Sequence, residues 1–201
     1  MYNLMMLKHA VKLLFNTLAP GGTIGPHGTY DKELMVAGVK PITLMGDYEG
    51  VEITADTDPT IKKWADDFHE LSYMADQGQL LRQDITLTNP NNQEIRLVLF
   101  GQHGQEEAMQ KIIDAYEWEE NGCQGPGPTE DMGIHLGYSE ADVKLWNVMN
   151  ATLRYAPFLA GAVNDYMTEV NVPRRDANVQ RMLDDAQNKS SPIFSAPHPP
   201  I

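Results

Sequence analysis

Cys123 is the one cysteine in 201 residues, so an internal disulfide and a multi-cysteine zinc site are both excluded. Such sparing use of cysteine fits a reducing compartment, and a cytoplasmic location is expected. Long apolar runs are also missing. The N-terminal stretch MYNLMMLKHAVKLLF is interrupted by Lys8, His9 and Lys12 and lacks the layout of a signal peptide. No stretch approaches the roughly 20 apolar residues of a membrane-spanning helix. Basic residues are scarce, with 15 Lys and Arg against 28 Asp and Glu and a net charge of −13. A surface of that sign repels phosphate backbones, so direct nucleic-acid binding is not expected.

Standard catalytic signatures are absent too. The sequence has no Rossmann fingerprint, G-x-S-x-G, H-E-x-x-H or C-x-x-C. GGTIGPHG at 21–28 is glycine-rich but lacks the lysine and spacing of a P-loop, and His27 within it reads as a solvated loop residue. No cofactor and no metal is expected.

What is present is an ordinary globular composition, 42% hydrophobic and 21% charged, long enough to bury a core. Its acid is unevenly spread. Asp47 to Asp76 holds nine acids against two lysines, and Glu106 to Asp142 holds ten acids against Lys111. Arg154 to Lys189 is balanced, with five of each sign. The acidic stretches form either a solvated surface or a face for a basic partner.

Residues 3–19 read as a helix with Leu4, Leu7, Val11, Leu14 and Leu18 on one stripe, suited to the protein's own core or to a dimer seam. Lys32 to Val39 reads as a short helix. PITLM and VEITA, joined by the Gly46–Gly50 turn, read as a hairpin. Asp58-Pro59 opens an amphipathic helix that Gly78 closes, with Asp58 as cap and Pro59 at the first helical position. Leu80–Thr88 and Glu94–Phe100, with turn formers between them, make a second hairpin. A helix follows and ends at Asn121-Gly122.

Gly125-Pro126-Gly127-Pro128 cannot be helical and forms a hinge. Ser139 caps the next helix, which is apolar on most sides and is expected to be well buried. Pro157 ends it. A further helix covers Phe158–Val170, and a last one starts after Pro173. The tail from residue 190 is proline-rich and expected to be mobile.

The strands are joined by turns, and helices dominate the second half. The fold class is therefore α+β, a small, mostly antiparallel sheet of hairpins packed with helices and a helical C-terminal half. The chain divides into an α+β core at 1–122, a helical unit at 123–189 packed on it, and the tail at 190–201.

The strongest site candidate is the FGQHG corner, where a strand meets a helix between two glycines that permit close backbone approach. Glu106 and Glu107 make this corner negative, so it suits a neutral or cationic ligand rather than a phosphate. The hinge beyond the helix adds Cys123, Asp131, His135 and Tyr138. Cys123 is more often a packed small residue than a nucleophile, and GIHLGY more often a structural hook.

The expected function is a non-catalytic, oligomeric binding protein that engages a protein or a neutral or cationic small molecule. It would do so through an acidic face or through Gln102, His103, Gly104, Glu107, His135 and Tyr138, with self-association through the N-terminal helix. The composition also resembles that of accessory proteins of phages and mobile elements. The alternative is a small hydrolase or transferase built from His103, Cys123, Asp131 and His135.

Overall fold

A computed structural model describes residues 2–18, 30–88, 92–123 and 132–189, with side chains in the first helix from Met6 to Thr17. The 125–128 hinge, Asp131, His27 and the C-terminal tail lie outside the described residues.

The fold is α+β. Its centre is β3 (Glu94–Gly101), flanked by β1 (Ile42–Gly46) and β2 (Leu81–Thr88) in the order β1-β3-β2, all antiparallel. Side chains alternate across this sheet, and toward its C-terminal end β3 is apolar on both faces. Val98 and Phe100 pack with Phe68 and Leu71 of α3 (Pro59–Asp76) and with Met35 of α2 (Asp31–Val36). Leu99 packs on the opposite face against Met109, Ile112 and Ile113 of α4 (Glu106–Glu120) and Leu136. A helix layer therefore covers each face of the sheet.

The local signals explain most of the boundaries. Asp58 accepts from the Thr60 amide at 2.7 Å, and Pro59 occupies the first helical position. Gly78 and Gly122 adopt φ of +69° and +71° just past α3 and α4. Ser139 accepts from the Asp142 amide at 3.1 Å and opens α6 (Glu140–Tyr155).

Several expectations are overturned. VEITA is not a strand, and β1 pairs with β3 instead. The turn after β1 does form, with the Glu49 amide on the Asp47 carboxylate at 2.8 Å, but the chain does not return along β1. The segment after it is tied into a turn by the Thr57 hydroxyl, which accepts from the Thr54 amide at 2.9 Å. Val51 stays exposed there, whereas β3 offers β1 a partner buried on both faces.

α1 (Tyr2–Leu18) is rotated from the expected stripe, of which Val11 is buried and Leu7 half-buried while Leu14 gives way to Phe15. Val11 and Phe15 are its buried residues, while Leu14 is 46% exposed. The Phe15 ring sits edge-on to Tyr166 at 5.0 Å, and that aromatic anchor sets the helix rotation. Leu145 and Met149 of α6, with Ala162 and Val163 of α7 (Ala160–Tyr166), complete this second core. The N-terminal helix thus packs with the C-terminal helices.

α6 is less buried than expected: Trp146 and Tyr155 are exposed. Pro157 ends it in a 3-10 turn (Pro157–Leu159). Pro173 does not start a separate helix. α7 runs through a π-helical turn (Met167–Asn171) into α8 (Val172–Asn188) without a break. A proline inside an α-helix lacks an N–H and strikes the carbonyl four residues back, and the wider turn ahead of Pro173 accommodates both. No helix among the described residues is long and apolar enough to cross a membrane.

Candidate functional site

The β3–α4 corner forms where the sequence places it, but its polar groups are turned toward the protein. The Gln102 amide donates to the Pro41 carbonyl at 2.9 Å, extending the β1 ladder by one residue. The Gln102 side-chain Nε2 donates to the carbonyls of Lys40 at 3.0 Å and Met35 at 3.3 Å. It thereby ties the β3–α4 corner to the segment between α2 and β1, sharing the Met35 carbonyl with the Gly38 amide. His103 Nε2 lies 2.9 Å from the Gly78 carbonyl. A carbonyl can only accept, so Nε2 carries the proton. Gly104 takes φ of +88°, which the turn into α4 requires. Glu107 is exposed in the first turn of α4, 3.3 Å from Lys111.

The hinge residues return to the same corner from the other side. α5 (Met132–His135) leads into a hook in which Gly137 has φ of +85°. A Cβ there would stand 2.6 Å from Pro41 Cδ, so only glycine lets the hook close on β1. Tyr138 then lies with its ring centre 5.3 Å from Lys40 Nζ. Gln102 and Tyr138 thus converge on Lys40-Pro41, while His135, half-buried, closes α5.

Lys40 was not legible as part of this corner. Its Nζ donates to Asp31 Oδ1 at 2.7 Å with both side chains buried. Burial pushes the Lys40 ammonium below its ordinary value, and Asp31 opposes the shift. Burial pushes the Asp31 carboxyl up, and Lys40 opposes that. Next to this pair, the buried Asp67 carboxylate takes Lys63 at 2.7 Å and Lys32 at 3.3 Å. Lys63 is on α3 with Asp67, so α2 is tied to α3 by Lys32, on Asp67 and on Glu70 at 2.8 Å, and by Lys63 on Glu33 at 3.1 Å. The one sequence signal was a lysine set directly before the apolar strand PITLM.

Two residues of the enzymatic alternative, His103 and Cys123, are held apart. His103 precedes α4 and Cys123 follows it, and the 15-residue helix between them is ~22 Å long at about 1.5 Å per residue. These two side chains cannot meet in one cleft. Cys123 is exposed rather than packed, with φ of +59° and its amide on the Trp118 carbonyl at 2.9 Å. Among the described residues no group of histidine, cysteine and carboxylate side chains is placed to hold a metal ion.

Two surfaces remain. One is the solvent face of α4, where Glu106, Glu107, Asp114, Glu117, Glu119 and Glu120 are all exposed and Lys111 is the one base. The other is a cleft of about 290 Å³ between α1 and α7, lined on one side by Lys8, His9 and Lys12 and on the other by Asp165 and Glu169. Lys8 and Asp165 bridge it with an ion pair. Corner, acidic helix and cleft together belong to an α+β protein in which Gln102 and His103 bond to neighbouring carbonyls, a few charges are buried in pairs, and the acids of α4 are exposed. No family model, curated protein or solved structure matches this chain at a significant level.

Proposed function

We propose that the chain is a non-catalytic binding protein that engages a basic protein partner through the acidic face of α4. The carrying observation is the charge at the far end of that helix. Glu106 and Glu107 in the first turn complement the helix dipole and need no further reason. Glu117, Glu119 and Glu120 occupy the last turn, where the dipole disfavours negative charge and the turn itself holds no basic residue. Glu120 is put to use, accepting from the Thr88 amide at 2.7 Å. Glu117 and Glu119 lower the helix's own stability and are explained by a cationic partner.

The test is titration of a blocked oligolysine peptide at several salt concentrations. Wild type should bind less tightly as salt rises, and Asp114→Asn with Glu117→Gln and Glu119→Gln should bind more weakly with a shallower salt slope. Equal affinity and slope in the two proteins would remove α4 from the interface.

A second reading concerns self-association through α1. Met6 and Leu13 are 69% and 61% exposed on the side of α1 facing away from Phe15. α1 carries two lysines and no acid, so it is where two copies of a −13 chain bring least negative charge together. Native mass at rising concentration tests this, with Leu13→Lys as the variant that should hold the protein monomeric. Origin in a phage or mobile element accords with the compact acidic composition.

A further inference from the structure

Among the described residues, no strand pairs with the outer edge of β2. Main-chain groups of β3 alternate between its two neighbours. Gln102 and Arg96 bond toward the β1 side, through Pro41 and Asp47, so the even-numbered residues of β3 serve β1. The odd-numbered ones serve β2, which pairs Gln83 with Leu99, Ile85 with Leu97 and Leu87 with Ile95. The residues between, Arg82, Asp84, Thr86 and Thr88, therefore turn their N–H and C=O groups outward. The Thr88 amide confirms this phase, because it is met from outside the sheet by Glu120. Among the described residues, the edge amides of Arg82, Asp84 and Thr86 have no such partner.

We infer that an extended basic segment of a partner protein adds to this edge as a fourth strand alongside Arg82–Thr86. Main-chain bonds would give affinity, and alternate side chains of the segment would give specificity. The segment's charge rests on the acidic-face reading above and on the flanks of the edge. Glu120 reaches the edge itself, and Glu117 lies one turn back on the same flank of α4. Asp84 lies on the edge strand itself, and Asp84 and Glu49 hold the Arg82 guanidinium at 3.0 and 3.8 Å, so it adds little free positive charge. Arg96, on the neighbouring strand, is held by Glu94 at 2.6 Å. A second copy is the weaker occupant. Edge-to-edge pairing would bring together two copies of α4, the acidic helix that covers β2. Glu120 acts as a placeholder, a carboxylate meeting an edge amide as a strand carbonyl would.

The experiment uses the full chain and a blocked heptapeptide of alternating lysine and valine, followed by amide hydrogen exchange. Exchange at Arg82, Asp84 and Thr86 should slow by about tenfold or more at saturation, while Gln83 and Ile85, already bonded to β3, stay as they were. The same peptide N-methylated at two edge-facing positions should bind about tenfold more weakly, since two backbone bonds are lost. Glu117→Gln with Glu120→Gln should weaken the unmodified peptide. Salt-sensitive binding without amide protection would overturn strand addition and leave the acidic-face reading standing. Protection that ignores the α4 substitutions would keep the strand and remove the basic partner. Protection in the absence of peptide, with doubled mass, would give the edge to a second copy and overturn the proposal. No binding at all would end both.

Discussion

Lys40 Nζ and Asp31 Oδ1 lie 2.7 Å apart with both side chains buried, and this pair fastens the start of α2 to the entry of β1. Desolvation makes such a pair a poor source of stability, but breaking it leaves one charge buried alone. Asp31→Asn should destabilise by about 3–5 kcal/mol, whereas Asp31→Leu with Lys40→Met should be neutral or stabilising by about 1–4 kcal/mol. The pH dependence follows from the signs. The folded-state pKa of Asp31 is raised, so its contribution falls as pH rises from the ordinary carboxylate range through the raised value. That of Lys40 is lowered, so its contribution grows as pH rises from the lowered value toward the ordinary lysine range. Urea midpoints across pH for wild type minus the double variant isolate both slopes. A flat difference would mean the pair does not shift on folding.

The second prediction separates the two faces of α1. Phe15 is fully buried against Tyr166, so Phe15→Ala should cost about 3–5 kcal/mol. Leu14 is 46% exposed, and Leu14→Ala should cost well under half as much. Thermal or urea unfolding of the two variants decides it. Equal losses would mean that α1 is rotated from the orientation described.

The third concerns the hook. Gly137→Ala must adopt positive φ with its Cβ at 2.6 Å from Pro41 Cδ, so about 1–3 kcal/mol should be lost. Gly104→Ala is a control: it shares a positive φ, but no atom lies within 4 Å of its added Cβ. The difference in unfolding midpoint between the two reports the Pro41 contact alone.

These sites show what was readable from the sequence. Caps and stops were legible because Asp58-Pro59, Gly78, Asn121-Gly122 and Ser139 act within one turn of chain. The β2–β3 hairpin was legible because turn formers sit between two alternating runs. The partner of β1 was not, because a nearby turn suggested VEITA while the residues that outbid it lie some fifty positions on. The rotation of α1 is set by Phe15, whose aromatic partner Tyr166 is distant in sequence, and leucines at coiled-coil spacing carry no trace of that contact. The FGQHG corner was found by its glycines, but glycine tells only that the backbone turns. Whether Gln102 and His103 face a ligand or a neighbouring carbonyl depends on α2 and α3, which their spacing cannot reveal. The Lys40–Asp31 pair has no such signal, because a buried ion pair has no sequence period.

The last prediction turns on His103. Its Nε2 proton reaches the Gly78 carbonyl just past the end of α3, so the ring ties that helix terminus to the β3–α4 turn. The rim is exposed, so the bond should contribute at the low end of about 0.5–1.5 kcal/mol. A second donor should not be needed on the other ring nitrogen for this role. His103→Asn, which keeps a short amide donor, and His103→Ala should both lower the melting temperature slightly, with alanine the more severe. Neither should change the affinity of the folded protein for a lysine-rich peptide, because the acidic groups proposed to bind it lie along α4 and at its far end. Melting temperature and affinity measured on the same preparations separate brace from site. An unchanged melting temperature with lost affinity would restore this corner as the binding site and would displace the α4 face from that role.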